Sequence, residues 1–272
     1  MVEYSLIAFS IFLQASIGVM LCMTFMQQKF KDANFTKAAY ASAILAVVGL
    51  LFSLAKLGQP LIAYNAILKV GTSWLSREIL FTGGFAAIAV IYVISKKFEL
   101  LNNSVNNALL WAGSLVGLLA VFTMARVYTS TVIPAWNSLN VYVDFFAATI
   151  TMGGVIFWAL SAKELAETSN QILAVAILVA AIIQVAVATP YLVGIALQSG
   201  ASAVGAAVLS DMGGIMIIRW LLVLGGAGAL MLPPVVAKKS VNIVYSAAVV
   251  LILGQTFGRY IFYASGIMPG IG

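Results

Sequence analysis

The protein has 272 residues, of which 63% are hydrophobic and only 8% are charged, and its mean hydropathy is +1.09. These values exclude an ordinary soluble protein and indicate an integral membrane protein. The net charge of +6 is carried by too few, too dispersed residues to be typical of a nucleic-acid-binding protein. Histidine is absent from the sequence, so we expect no haem held by imidazole, and the single cysteine, Cys22, excludes a disulfide framework or a cysteine-held metal site within the chain.

Apolar runs of about 20 residues, the length that a helix needs to cross a bilayer, recur along the whole sequence. They predict an all-α membrane protein with eight transmembrane helices, at residues 4–27, 37–57, 77–95, 106–128, 143–162, 171–197, 213–232 and 241–264. The connections are too short to bury a second core, so residues 1–272 are predicted to form one domain. The first run follows Glu3 and lacks a basic segment, which favours a retained anchor over a cleaved signal peptide.

The lysines predict the orientation of this bundle. Connections after the first, third, fifth and seventh helices carry eight lysines, whereas the other connections carry only Lys69 and Arg77. Basic residues are retained on the cytoplasmic side, so we expect a multi-pass membrane protein with both termini and residues 58–76 facing the outside. The same positive charge would attract anionic lipid.

Ionisable residues also lie near the helix ends on the predicted outer side. Each of them costs a few kcal/mol near the bilayer centre unless it finds a partner or water. Together they could form a polar pocket, or each could be a separate interfacial anchor. Glu78 has a further explanation, because Ser76 is a plausible N-cap and a carboxylate near a helix start favours the helix dipole. The set comprises Lys56, Arg77, Glu78, Arg126, Asp144, Asp211, Arg219 and Arg259, with Tyr128 and Tyr263 among them.

Small residues and one tryptophan add two further predictions. Glycines favour close contact between helices. Gly113 with Gly117 and Gly254 with Gly258 recur at helical spacing, and Gly153-Gly154 and Gly225-Gly226 are adjacent pairs elsewhere. The other tryptophans fit an aromatic belt at the membrane interface. Trp136 lies in a Pro-Ala-Trp-Asn turn beside the charged residues and is therefore a candidate for the same pocket.

Six short motifs in a fixed order resemble a known family. They are Lys56-Leu57-Gly58-Gln59-Pro60, Ala63-Tyr64-Asn65, Gly71-Thr72-Ser73-Trp74-Leu75-Ser76-Arg77-Glu78-Ile79, Arg126-Val127-Tyr128, Val132-Ile133-Pro134-Ala135-Trp136 and Gly258-Arg259-Tyr260-Ile261-Phe262-Tyr263. Over the full length the sequence resembles the membrane-anchor subunit of bacterial dimethyl sulfoxide reductase, the DmsC family. The resemblance implies an eight-helix anchor without haem that oxidises menaquinol. Its electrons would pass to a four-cluster iron–sulfur subunit and on to a molybdopterin catalytic subunit, both on the periplasmic side.

One position departs from the family pattern. The family commonly has a histidine in a His-Leu-Gly-Ser-Pro stretch of the quinol site, where this sequence has Lys56. An ammonium group can donate a hydrogen bond to a quinone oxygen, but it cannot accept the quinol proton as a neutral imidazole would. The family's quinol-site glutamate is matched by Glu78.

The resemblance and the residue chemistry together predict a quinol site without a metal. Glu78 is the expected proton acceptor, and Lys56 is the expected hydrogen-bond partner of a ring oxygen. The other expected members are Arg77 and Arg126, which would hold Glu78 ionised, and Tyr64, Tyr128, Trp136 and Arg259, which would line the pocket. The protein would have no catalytic activity outside the complex.

Three alternatives to this function remain at the level of the sequence. The same site could run in reverse and reduce quinone, because the chemistry is reversible. A purely structural anchor would tolerate the loss of Glu78 and Lys56. A secondary transporter would favour broken helices and internal repeats, and neither is visible in the sequence.

Overall fold

The computed structural model describes residues 4–31, 33–56, 69–197, 201–236 and 241–266. These residues form ten helices and no strand. The helices are α1 (Tyr4–Lys29), α2 (Thr36–Lys56), α3 (Trp74–Phe98), α4 (Asn103–Thr129), α5 (Leu139–Ser161), α6 (Glu167–Ala196), α7 (Ala201–Asp211), α8 (Gly213–Ala229), α9 (Pro233–Val236) and α10 (Val241–Ala264). The predicted all-helical bundle is therefore confirmed, and its eight predicted helices match observed ones to within four residues at each end.

Seven helices are long and apolar enough to cross a membrane, namely α1 to α6 and α10. An eighth crossing would combine Gly205–Asp211 of α7 with α8, two segments that meet at an angle of 66°. The region of α7 was predicted to be a connection, and that expectation was wrong. The next helix was predicted to begin at residue 213, as α8 does, but the small, apolar residues before it do not distinguish a short helix from a connection.

The start of α3 determines how Glu78 is presented. Ser73 is the N-cap, and its side-chain oxygen accepts a hydrogen bond from the backbone N–H of Ser76 at 3.3 Å. The prediction that Ser76 is the cap was therefore wrong by one turn. Glu78 lies beyond the first turn of α3, where the helix dipole has little effect. The dipole explanation for this carboxylate is correspondingly weakened.

Helices α1 and α5 form the centre of the bundle. They approach most closely where Gly18 faces Gly153, because a Cβ atom on Gly153 would collide with the backbone of Gly18. Only glycine permits this approach, which confirms the predicted packing role of Gly153. Gly113, Gly117, Gly154, Gly226 and Gly254 also face close neighbours. The prediction does not hold for Gly225, which has open space where a side chain would stand.

Two ends of the bundle can now be distinguished. The Glu78 end contains the start of α1, α3, α5 and α8 and the end of α2, α4, α6 and α10. The lysine end is the opposite one, where α1 ends at Lys29 and α3 ends beyond Lys96 and Lys97. At the Glu78 end, a small second core joins the α4–α5 connection to α6, α7 and α10 through Ile133, Ala135, Ile195, Leu209 and Ile261.

Candidate functional site

One acidic and two basic side chains meet inside the bundle near the Glu78 end. Asp144 of α5 forms salt bridges with Arg219 of α8, through Oδ1, and with Arg259 of α10, through Oδ2 at 3.0 Å. All three residues are buried. Asp144 lies about 8 Å along α5 at a rise of about 1.5 Å per residue, which places the cluster below the membrane surface. A carboxylate at this depth needs such partners, because an unpaired buried charge is strongly unfavourable.

Three glutamines extend the cluster to further helices. Gln184 of α6 donates to Asp144 Oδ1 at 2.7 Å and exchanges two hydrogen bonds with Gln255 of α10, at 3.0 and 3.1 Å. Arg259 Nη2 donates to Gln14 Oε1 of α1 at 2.7 Å. We call Asp144, Arg219, Arg259 and these glutamines the polar hub. It connects five helices, α1, α5, α6, α8 and α10.

The polar hub was only partly visible in the sequence. Asp144 and Arg219 were recognised as ionisable residues near the outer side, but they were not assigned to the site, and the three glutamines were missed altogether. A usable signal did exist. Gln14, Gln184 and Gln255 each interrupt a long apolar run, and a polar side chain in such a run is expected to face the bundle interior.

A glycine makes room for the hub. A Cβ atom on Gly258 would lie 2.6 Å from both Nε and Cζ of Arg219. The guanidinium therefore packs directly on the backbone of α10, one residue before Arg259. Gly258 was predicted as a helix-packing residue, and the structure shows that the partner it admits is a charged side chain.

Five aromatic side chains form a wall beside the hub, and we call them the aromatic wall. They are Tyr128, Trp136, Phe145, Phe262 and Tyr263. The Tyr128 and Tyr263 hydroxyl oxygens lie 3.1 Å apart in a hydrogen bond, and both side chains are buried. The indole N–H of Trp136 donates to the Phe262 carbonyl at 2.8 Å, and its ring stacks on that of Phe262 with centroids 5.4 Å apart. These contacts hold the α4–α5 connection against the end of α10.

Arg259 supports this wall from behind. Its guanidinium lies 3.8 Å above the ring of Phe145, and its two terminal nitrogens bind Asp144 and Gln14. The side chain is 1% exposed. Arg259 was predicted to line the pocket, and the structure places it one layer further back.

Glu78 lies near the Tyr128–Tyr263 pair. It is buried in α3, and its carboxylate interacts electrostatically with the hydroxyl groups of both tyrosines. The structure therefore brings Glu78, Tyr128 and Trp136 to one region, although they come from α3, α4 and the α4–α5 connection.

The two predicted arginine neighbours of Glu78 make contacts elsewhere. Arg77 donates to the carbonyl oxygens of Val70 and Gly71, both at 2.8 Å, and stacks 4.2 Å above Trp74. The guanidinium of Arg126 lies 5.2 Å from the same tryptophan ring. These two arginines therefore affect the Glu78 carboxylate only through their long-range electrostatic field. Both guanidinium groups thus lie over the ring of Trp74. The sequence indicated this residue only as part of a motif.

Two predicted site residues cannot be placed against this geometry. Lys56 is the last residue of α2, so its backbone lies at the Glu78 end, but its side chain lies outside the described part of the protein. Tyr64 lies wholly outside the described residues, as does most of the 58–76 connection.

A small cavity with a mostly apolar lining adjoins the hub. It has a volume of about 40 Å³, and Asp144, Arg219, Asn140 and Ser265 contribute its polar lining. That volume holds one or two water molecules and is far too small for a quinone ring. The cavity can hydrate the Asp144–Arg219 pair.

Comparison with known proteins identifies the relatives of this protein. The family model described as DMSO reductase anchor subunit (DmsC) matches residues 1–265. One subunit of the anaerobic dimethyl sulfoxide reductase of Haemophilus influenzae is 28% identical over 157 residues, and this alignment spans 56% of each sequence. Two Escherichia coli K12 relatives, both named as anaerobic dimethyl sulfoxide reductase subunits, are 25% identical (YnfH) and 24% identical. Each of these alignments covers 99% of this sequence and 96% of the relative.

Proposed function

Because the protein belongs to the DMSO reductase anchor subunit (DmsC) family, we propose that it oxidises menaquinol at the Glu78 end and passes the electrons directly to an iron–sulfur partner subunit. Membership of this family makes it a multi-pass membrane anchor of a dimethyl sulfoxide reductase complex. In our proposal the complex is an anaerobic respiratory one, with a four-cluster iron–sulfur subunit and a molybdopterin catalytic subunit on the periplasmic side.

The proposed topology has eight crossings of the bacterial inner membrane. The bent pair α7–α8 counts as one crossing, and both termini and the Glu78 end face the periplasm. The lysine distribution supports this orientation. A transporter would favour two broken helices at corresponding positions in the two halves of the protein. The described residues contain a single bent pair, α7 with α8, and no second one.

One observation carries the proposed activity. The buried Glu78 carboxylate lies close enough to the hydroxyl pair of Tyr128 and Tyr263 to interact with it electrostatically, near one end of the bundle. A quinol is a flat ring with a hydroxyl group at each end, so a site for it needs an apolar aromatic surface and a few polar groups placed at its oxygens. The aromatic wall and Glu78 supply both features in one place.

The reaction releases two electrons and two protons from each quinol. Glu78 accepts the two ring-hydroxyl protons in turn and releases each to water at the outer interface, because a carboxylate is acceptor-only when ionised and lies within reach of that interface. Lys56 donates a hydrogen bond to a ring oxygen. Arg77 and Arg126 supply positive potential around the carboxylate, while Tyr64, Tyr128 and Trp136 surround the ring and Arg259 fixes the wall from behind. The electrons leave for a cluster of the partner subunit, since the sequence offers no histidine to bind haem.

Replacement of Glu78 by glutamine tests the proton-acceptor role. Glu78→Gln preserves shape and hydrogen bonding but cannot take up a proton, so oxidation of a menaquinol analogue by membranes should fall to background. A reduced viologen dye feeds the partner subunits directly and should give normal activity, which shows that the complex is assembled. Glu99→Gln is the matched control, because Glu99 is an exposed carboxylate at the lysine end. Normal quinol oxidation by Glu78→Gln would remove Glu78 from the mechanism.

A reporter fusion tests the topology independently. Alkaline phosphatase is active only in the periplasm, so its fusion after Gly272 should be active. An inactive fusion, together with an active cytoplasmic reporter at the same point, would reverse the orientation and the side on which the partners dock.

A further inference from the structure

Two adjoining cavities at the lysine end form a groove that the proposed quinol chemistry does not use. Their volumes are about 340 and 390 Å³, and both lie between the α1–α2 connection and the facing ends of α3 and α4. We call them together the basic groove. The lining residues that the two cavities share are Gln27, Lys31, Tyr92, Lys96 and Asn103.

Lysines outnumber acidic residues around the basic groove. Lys31 and Lys96 line both cavities, and Lys97 lines one of them. Among the described residues no carboxylate lines either cavity, and none forms a salt bridge with these lysines. Asp32, which follows Lys31 in the sequence, lies outside the described residues. Three lysines against one aspartate leave a net positive charge, so the groove favours an anion as occupant.

A helix terminus adds to the positive potential. Asn103, the first residue of α4, lines both cavities, and the first turn of α4 contains no acidic residue. The N-terminal end of a helix carries a partial positive charge and unpaired N–H groups, which favour phosphate. Lysines at the ends of α1 and α3 would by themselves only complement the negative ends of those helices. The start of α4 at the same groove has no such explanation.

Hydrogen bonds fix the shape of the groove without a ligand. The side-chain amide of Gln27 donates to the carbonyl oxygens of Phe30, Lys31 and Ala33, at 3.2, 3.0 and 3.5 Å. This holds the α1–α2 connection that carries Lys31. On the opposite wall, the buried Asn106 accepts from Ser95 Oγ at 2.7 Å and so joins α4 to α3.

An exposed aromatic pair lies near the groove on α1 and α4. Phe25 of α1 and Trp111 of α4 are 58% and 44% exposed and meet edge to face with centroids 5.5 Å apart. Each ring lies about one helical turn deeper in the membrane than a hydrogen-bonded pair at the groove, Gln28 and Asn107. Exposed aromatic rings at this depth are typical of residues that contact the region between lipid headgroups and acyl chains.

A third cavity at the same end provides a contrast. Lys37 and Lys163 line it, but Glu164 lines it as well, so its charge is partly compensated. The presence of lysines alone therefore does not distinguish the basic groove. The distinguishing features are the larger number of lysines, the start of α4, and the adjoining aromatic pair.

We propose that the basic groove binds the phosphate headgroup of an anionic phospholipid, whose acyl chains lie along Phe25 and Trp111. Lys31 and Lys96 contact the phosphate. The Asn103 side chain and the backbone N–H groups of Asn103 and Ser104 complete its shell, because the N–H of Val105 already binds the Asn102 side chain. Basic pockets between transmembrane helices are suited to anionic headgroups. A free phosphate ion would meet the same cations, but it would leave the aromatic pair without a partner. This site is independent of quinol oxidation at the other end of the bundle.

Native mass spectrometry of the detergent-purified full-length protein tests the proposal. Phosphatidylglycerol should bind stoichiometrically, and phosphatidylcholine should not. The double variant Lys31→Gln/Lys96→Gln should weaken phosphatidylglycerol binding by about 25-fold, because each lysine contributes roughly fivefold. Lys31→Arg/Lys96→Arg keeps both charges and should retain binding. The matched control Lys37→Gln/Lys163→Gln removes two lysines from the same end and should change the affinity less than about twofold.

Two results would overturn the proposal. If the groove variant and the matched control lose equal affinity for phosphatidylglycerol, binding depends only on the net charge of this end. Equal binding of inorganic phosphate and phosphatidylglycerol would assign the groove to a free anion. Trp111→Ala separates these sources further, since it should weaken lipid binding severalfold and leave inorganic phosphate unaffected.

Discussion

The two ends of this bundle use charged residues in opposite ways. At the Glu78 end, Asp144, Arg219 and Arg259 are buried and paired with one another. At the lysine end, Lys31 and Lys96 are exposed and form no salt bridge with any described carboxylate. A buried charge must have fixed partners and therefore fixes geometry, whereas an exposed charge remains hydrated and acts mainly through its long-range field.

This comparison explains why the quinol site is proposed at the Glu78 end. A reaction that moves protons needs groups held at defined positions, and the polar hub and the aromatic wall hold them through helices that are distant in sequence. The lysine end provides orientation in the membrane and, in our proposal, a lipid site. These roles tolerate side-chain motion. Substitutions should therefore have large effects at the Glu78 end and small effects on stability at the lysine end.

The largest effect is expected from Asp144→Asn. It leaves two buried guanidinium groups without their carboxylate, which should lower the free energy of unfolding by about 3 to 5 kcal/mol. Thermal unfolding of the purified protein in detergent measures the change. Asp211→Asn is the control, because Asp211 is exposed at the bend between α7 and α8 and should change stability by less than about 0.5 kcal/mol. Equal effects of the two variants would contradict the structural role of the hub.

A smaller effect is expected from Gly258→Ala. The new methyl group would overlap the guanidinium of Arg219, which the salt bridge to Asp144 prevents from moving freely. Overpacking of this kind costs about 1 to 3 kcal/mol. Gly225→Ala has open space around it and should be neutral or slightly stabilising, since alanine favours a helix more than glycine does. A stable Gly258→Ala protein would show that Arg219 can be accommodated elsewhere.

Tyr263→Phe should have a more modest effect on stability. It removes one hydroxyl group and leaves that of Tyr128 without its 3.1 Å partner, at a cost of about 1 kcal/mol. Tyr245→Phe, at an exposed position of α10 near the lysine end, should have no measurable effect. Quinol oxidation by Tyr263→Phe sharpens the comparison further. If the hydroxyl pair helps to position the quinol, KM should rise while assembly, measured with the viologen dye, stays normal.

The smallest effect is expected from Lys97→Gln at the lysine end. Lys97 is exposed, so its loss should change the free energy of unfolding by less than about 0.5 kcal/mol. Thermal unfolding in the same detergent provides the measurement. A loss above about 1 kcal/mol, beyond the usual range for a surface substitution, would show that this end is also held together by its charges, and the contrast between the two ends would fail.

The sequence by itself determined the membrane class, the approximate bounds of the long helices and the family. These properties depend on local features, namely the length and apolarity of each run and the order of short motifs. The same features placed Glu78, Tyr128 and Trp136 at one end of the bundle, because consecutive helices alternate in direction. The bend between α7 and α8 was missed, since two short helices joined at an angle have the same hydropathy as a connection followed by one span.

Only the tertiary structure decided which polar residues meet. Gln14, Gln184 and Gln255 lie on three helices, and no local pattern indicates that the last two bind each other while the first binds Arg259. The position of Arg259 behind the aromatic wall likewise depends on where α10 packs against α1 and α5. The rotation of each helix about its axis is set by contacts such as that between Gly18 and Gly153, and these contacts join residues that are far apart in the sequence.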